Sequence, residues 1–202
     1  MNECNSTLSI MEQYAKENSV PIISQAGAKL LSATVKEYKP RSILEIGTAI
    51  GYSTMIIANS APTAHITTIE LDEQRAATAL RFLGEAKLLD SVDLIIGDAG
   101  QILNTLTIKF DMVFIDAAKG QYLNYLLNIL DKLNDNAIVI ADNVLFRGMV
   151  EGDEIPLRRY KTIVKRLREY LQFVRQDARF NTRIHKIGDG IAISIYQGEN
   201  NN

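Results

Sequence analysis

Hydrophobic residues in this chain gather into short, dense runs separated by polar or glycine-containing turns. Residues 42–46, 66–69, 92–96, 112–115, 137–141 and 191–196 form such runs, rich in Ile and Val. Strands buried on both faces read as continuous apolar stretches of this length. Between them, 73–87 and 122–132 have helical spacing, and two further helical stretches, 6–17 and 24–38, precede the first strand on either side of a break at Pro21. This alternation predicts an α/β fold with an open, mostly parallel sheet and helices on both sides. Ligands of such sheets sit beyond the carboxyl ends of the strands, so chemistry is expected in the residues that follow each strand.

The stretch 156–174 adds an amphipathic helix. Leu157, Tyr160, Ile163, Val164, Leu167, Tyr170, Leu171 and Val174 mark one face, and basic residues occupy most of the rest. From 158 to 186 ten Lys and Arg face only Glu169 and Asp177, a local charge of +8. The net charge is −2, so the rest of the chain carries −10. An excess of this size attracts polyanions, although a solvated helix face has the same signature.

At 202 residues, 47% hydrophobic and 23% charged, the chain fits one globular domain, 1–202, and excludes disorder or low complexity. Within it, 1–40 reads as an N-terminal helical cap and 155–186 as the basic helix with its following segment. A single cysteine, Cys4, excludes an internal disulfide, and with only His65 and His185 beside it a Cys/His zinc site lacks ligands. No basic segment followed by an apolar run opens the chain, and the apolar runs fall far short of a membrane span, so a soluble cytoplasmic protein is expected.

The first strand leads through LEIGTAIGYST into a helix. Glycine lets the backbone approach a ligand, and helix-initial N–H groups supply donors. The G-x-x-x-G spacing is neither the dinucleotide fingerprint nor a phosphate loop, and a glycine here also serves plain helix-on-sheet packing. Glu70 ends the second strand, where an acid can accept both hydroxyls of a ribose or stabilise the next helix. Asp98 follows the third strand and could hold an adenine amino group or cap a helix. FIDAAKGQY and VIADNVLFRG place Asp116, Asp142 and Asn143 after two further strands. Hard oxygen donors without imidazole or thiolate suit Mg²⁺, the alternative being ordinary capping. A divalent cation on a substrate hydroxyl makes it a usable nucleophile, and Lys119, three residues after Asp116, could take the proton.

The strings LEIGTAIGYS, TIELDEQR, GDA, FIDAAKGQY, DNVLFRGMV and GDGIAIS, in this order, resemble the cation-dependent class I O-methyltransferases related to catechol O-methyltransferase. VPI near Pro21, IDAAKGQY and the basic stretch after the metal motif are most similar to the bacterial tRNA 5-hydroxyuridine methyltransferases among them. The resemblance implies a Rossmann-like, seven-stranded fold, S-adenosylmethionine as methyl donor, Mg²⁺ and a homodimer. It places Gly47 and Ser53 against the methionine part, Ile23 closing that side, Glu70 on the ribose, and Asp98 and Ala99 beside the adenine. Asp116 would serve cofactor pocket and metal, Asp142 and Asn143 would complete the ligands, and Lys119 would be the general base.

One departure concerns the substrate. The catechol enzymes carry bulky aromatic residues directly after the metal aspartate, where this chain has Ala117 and Ala118. Small residues leave that side open to a base presented on a large polymer, splayed out to reach a recessed site. Arg158, Arg159, Lys165 and Arg166 are then the expected contacts to the anticodon region of tRNA. The expected reaction is methyl transfer to the 5-hydroxyl of a wobble 5-hydroxyuridine; the alternatives are a small-molecule catechol-type O-methyltransferase, a non-catalytic tRNA-binding module and, remotely, a nicotinamide dehydrogenase.

Overall fold

The computed structural model describes residues 3–152 and 156–198, with side chains from Thr7 onward. The outer limits of the expected 1–202 domain, the start of the 1–40 cap, the first residue of the 155–186 segment and the side chain of Cys4 lie outside the described residues. Two compact units make up the chain, Met1–Ala99 and Gly100–Asn202.

The first unit runs α1 (Glu3–Glu17), α2 (Gln25–Tyr38), β1 (Ser42–Ile46), α3 (Tyr52–Ser60), β2 (His65–Glu70), α4 (Glu73–Glu85) and β3 (Val92–Ile96), and ends on the first residue of α5 (Ala99–Ile102). Ser24 starts α2 by accepting the Gly27 N–H at 3.1 Å, and Gly27, Ala28, Leu31, Thr34 and Val35 form its buried stripe. Asp72 starts α4 in the same way, accepting from the amides of Gln74 at 2.9 Å and Arg75 at 3.0 Å. β1 and β2 pair in parallel, as do β2 and β3, in a register that aligns Ile46 with Ile69 and Ile69 with Ile95. Ile43, Leu44 and Ile46 are fully buried, as continuous apolar runs require.

The second unit contains β4 (Phe110–Ile115), α6 (Tyr122–Ile129), β5 (Leu133–Ala141), α7 (Lys161–Gln176), β6 (Phe180–His185) and β7 (Ile191–Tyr196). β4 and β5 pair in parallel, while β7 pairs antiparallel with both β5 and β6. The strand order is β3-β2-β1-β4-β5-β7-β6, a mixed seven-stranded sheet whose antiparallel part is confined to the β6–β7 end. α7 buries Val164, Leu167, Tyr170, Leu171 and Val174 and exposes its basic residues, so packing and charge occupy different faces. A short 3-10 turn, Arg158–Tyr160, precedes it, where the spacing suggested one longer helix.

β6 is the element the apolar pattern does not reveal. Its sequence FNTRIH buries Phe180 and leaves Asn181 and Arg183 exposed, as an edge strand tolerates. Among the described residues no helix is long and apolar enough to cross a membrane.

Candidate active site

In the first unit Gly47, Glu70, Asp98 and Ala99, predicted to meet the cofactor, lie just at or after the carboxyl ends of the strands, whereas Ser53 is in α3 and Ile23 precedes α2. Gly47 leaves β1 with φ 102°, and its N–H donates to the Ile69 carbonyl at 2.9 Å, so the loop stays tied to β2. Gly51 opens α3 at φ 85°; a Cβ there would meet Ala79 at 3.4 Å while the backbone resisted the angle. Glu70 is 8% exposed and held at both oxygens, accepting from the Ala49 N–H at 2.7 Å and the Asp72 N–H at 2.9 Å. Each oxygen keeps a further lone pair, which is what a ribose diol requires. Ala99 is buried, whereas Asp98 is exposed directly before α5. Ile23 is buried next to the Ser24 cap.

Ser53 lies buried in the first turn of α3, and its hydroxyl donates to Glu45 at 2.6 Å. Glu45 is fully buried in β1 and accepts also from Thr54 and, at 2.6 Å, from Thr68. Three hydroxyl donors compensate a carboxylate that would otherwise be costly to bury. Glu45 thereby anchors the start of α3 beneath the glycine loop. Sequence reasoning did not single it out, although an acid inside the apolar run SILEI was the available signal.

In the second unit, Asp116 follows β4 and Asp142 follows β5, whose pairing continues through the Asp142 N–H to the Ile115 carbonyl at 3.0 Å. Asp142 is 4% exposed, and burial first, then the charge of Asp116, pushes its pKa up to about 7. The Asn143 N–H, donating to Asp142 Oδ1 at 2.7 Å, and the Lys119 cation act against that rise. Burial also raises the pKa of Asp116, again opposed by Lys119. Two aspartates and Lys119 therefore form one electrostatic group. Tyr122 is buried beside it, donating its hydroxyl to the Asp142 carbonyl at 3.0 Å. Asn143 takes φ 56°, a left-handed angle that asparagine tolerates better than most residues.

Among the described residues no three His, Cys, Asp or Glu side chains converge on a metal position; the candidate set is two carboxylates and an amide. This donor set fits a hard divalent cation. A buried Asp142 whose proton affinity is raised by burial and by the charge of Asp116 is the group such a cation would relieve. Asp189, which raises the pKa of Asp142, is a further neighbour. Asp189 and Gly190 stand in the GDG string, directly before β7.

The predicted tRNA contacts divide. Arg158 and Arg159 are exposed on the 3-10 turn, the latter 4.6 Å over the Tyr160 ring. Lys165 and Arg166 are both turned to Glu169, at 3.8 and 3.1 Å, which partly neutralises them.

Residues 5–196 match the family model described as O-methyltransferase. A probable O-methyltransferase of Mycobacterium tuberculosis is 37% identical over 70% of this chain and 66% of its own length. Catechol O-methyltransferase of Mus musculus is 27% identical over 96% of this chain and 72% of that protein. Among solved structures, the O-methyltransferase from Bacillus cereus in complex with SAH superposes with TM-score 0.84 at 26% identity, covering 95% of this chain and 90% of that one. TomG from Streptomyces achromogenes in complex with SAM gives 0.86 at 29% identity, covering 98% and 91%. The chain belongs to the O-methyltransferase family, enzymes that take their methyl group from S-adenosylmethionine.

Proposed function

We propose that this chain methylates the 5-hydroxyl of 5-hydroxyuridine at the tRNA wobble position, giving 5-methoxyuridine, with S-adenosylmethionine as donor and Mg²⁺ at Asp116, Asp142 and Asn143. The observation that carries the reading is the acidic group itself, followed in the chain by the small residues Ala117 and Ala118, on a unit that also exposes a basic helix face. When bound, the two small ligands supply a Lewis acid that favours the ionised acceptor hydroxyl and a sulfonium methyl group for in-line displacement.

The chain's own residues do the rest. Glu70, oriented by the amides of Ala49 and Asp72, accepts the ribose hydroxyls. Glu45 fixes Ser53 and Thr54 beneath the methionine part. Asp98 and Ala99 border the adenine, with Gly47 and Ile23 on the methionine side. Asp116, Asp142 and Asn143 would hold the divalent cation. Lys119, which faces both aspartates, accepts the hydroxyl proton as its neutral amine. Arg158 and Arg159 contact phosphates of the anticodon stem-loop, and Lys165 and Arg166 contribute less because Glu169 holds them.

The names of the relatives, catechol and caffeoyl-CoA O-methyltransferases among them, favour a second reading in which the acceptor is a small phenol. Nucleoside mass spectrometry separates the two. tRNA carrying 5-hydroxyuridine, incubated with the enzyme, S-adenosylmethionine and Mg²⁺, is expected to gain 5-methoxyuridine, while a vicinal diphenol turns over poorly. Efficient methylation of the diphenol with no 5-methoxyuridine would replace the first reading by the second.

A further inference from the structure

The loop after β5 is built on backbone angles that its residues resist. Phe146 has φ 35° and Arg147 φ 57°, between Asn143 at 56° and Gly148 at 72°. Glycine and asparagine visit this region readily, whereas a bulky side chain stays there only when its surroundings over-determine it.

The surroundings are the turn before β7. The Val144 N–H donates to the Gly190 carbonyl at 3.0 Å, and the amides of Leu145 and Phe146 donate to the Asp189 carbonyl at 2.8 and 3.2 Å. The Arg147 N–H donates to the Asp189 carboxylate at 3.2 Å. Gly190, at φ 84°, lies so close that a Cβ would fall 2.3 Å from Leu145 Cγ. This splint fixes an exposed arginine four residues after Asn143.

The guanidinium of Arg147 is also placed. One N–H donates to the Tyr160 hydroxyl at 3.1 Å, and its carbon lies 5.4 Å from the Tyr160 ring centroid and 5.9 Å from that of Phe146. The two rings meet edge to face at 5.4 Å. No carboxylate pairs with Arg147 among the described residues. A guanidinium carries five N–H donors, so among the described residues most of its fork is left for a ligand. Simple packing of an arginine on aromatic rings would not require a left-handed backbone braced by a second loop.

We infer that Arg147 is a specificity-determining residue that binds a phosphate of a nucleotide acceptor while the acceptor's hydroxyl occupies the neighbouring acidic group; this rests on the nucleotide reading proposed above. The fork matches phosphate geometry, and Tyr160 and Phe146 hold it in place before the acceptor arrives.

Three acceptors test it: 5-hydroxyuridine nucleoside, its 3′,5′-bisphosphate, and an anticodon stem-loop containing it. Each is assayed with wild type, Arg147→Ala and Arg147→Lys, after circular dichroism has checked folding. Arg147→Ala is expected to lower kcat/KM for the two phosphate-bearing acceptors about tenfold or more beyond any loss on the nucleoside, mainly through KM. Arg147→Lys recovers part of the loss, because a lysine keeps the charge and loses the fork. Equal losses on all three acceptors, or no loss on any, would overturn the inference. Binding of labelled bisphosphate is measured in parallel. If wild type methylates none of the three yet binds bisphosphate through Arg147, the acceptor reading fails and the phosphate site stands. If Arg147→Ala binds bisphosphate as tightly as wild type, the phosphate site is excluded.

Discussion

Asp142 shows how one side chain links stability to ligand chemistry. Its pKa of about 7, raised by burial and by Asp116, lies well above the ordinary carboxylate value of about 3.9. The cation-free folded state therefore holds a proton that the unfolded chain has released, throughout the window between these values. Stability present below about pH 4 is lost as pH rises toward 7. We expect chelator-treated protein to lose on the order of 2–4 kcal/mol between pH 4 and pH 8 through this group. Asp142→Asn should flatten that slope in urea unfolding at a series of pH values. An unchanged slope in the variant would show that Asp142 does not carry the proton. Glu45 makes a different point: its burial is met by Ser53, Thr54 and Thr68, so a polar group deep in β1 becomes the anchor of the start of α3.

At the scale of elements, the turn before β7 is the clearest dependence of one segment on another. Gly190→Ala combines a left-handed φ of 84° with a clash against Leu145 at 2.3 Å. Relief requires movement of the loop that follows Asp142 and Asn143. A loss of about 2–4 kcal/mol is expected in urea unfolding, together with faster amide exchange at Val144 through Arg147. Stability equal to wild type would mean the two loops adjust independently. The strands were legible in the sequence where both faces are buried, as in β1, β4 and the second half of β5, because such runs admit few alternatives. β6 was not, since an edge strand of alternating polar residues inside a basic stretch looks like a loop. α2 and α4 were readable from Ser24 and Asp72, residues whose side chains satisfy helix-initial amides. Lys119, Asp116 and Asp142 were visible as residues following strands, and the structure brings their charges together. The Asp189 brace was not legible: its partners are backbone amides, and a backbone donor leaves no residue-type signature.

Across the whole molecule, charge is segregated. The +8 of residues 158–186 sits within a chain of net −2, and the structure divides that charge into a spent and an available part. Lys165 and Arg166 face Glu169, Arg179 faces Asp177 and Lys186 faces Glu151, while Arg158 and Arg159 are exposed before α7. A polyanion would therefore be met mainly at the start of α7 rather than along its length. An acidic group and a basic surface on one chain suit a substrate whose backbone is anionic and whose reacting oxygen must be ionised. That assignment depends first on the acidic group holding a cation. Mn²⁺ titration followed by electron paramagnetic resonance, on protein saturated with S-adenosylhomocysteine, reads this directly. The account predicts one Mn²⁺ site per chain, displaced by Mg²⁺ and lost in both Asp116→Asn and Asp142→Asn. Wild-type protein that binds no Mn²⁺, or binding that survives both substitutions, would contradict it.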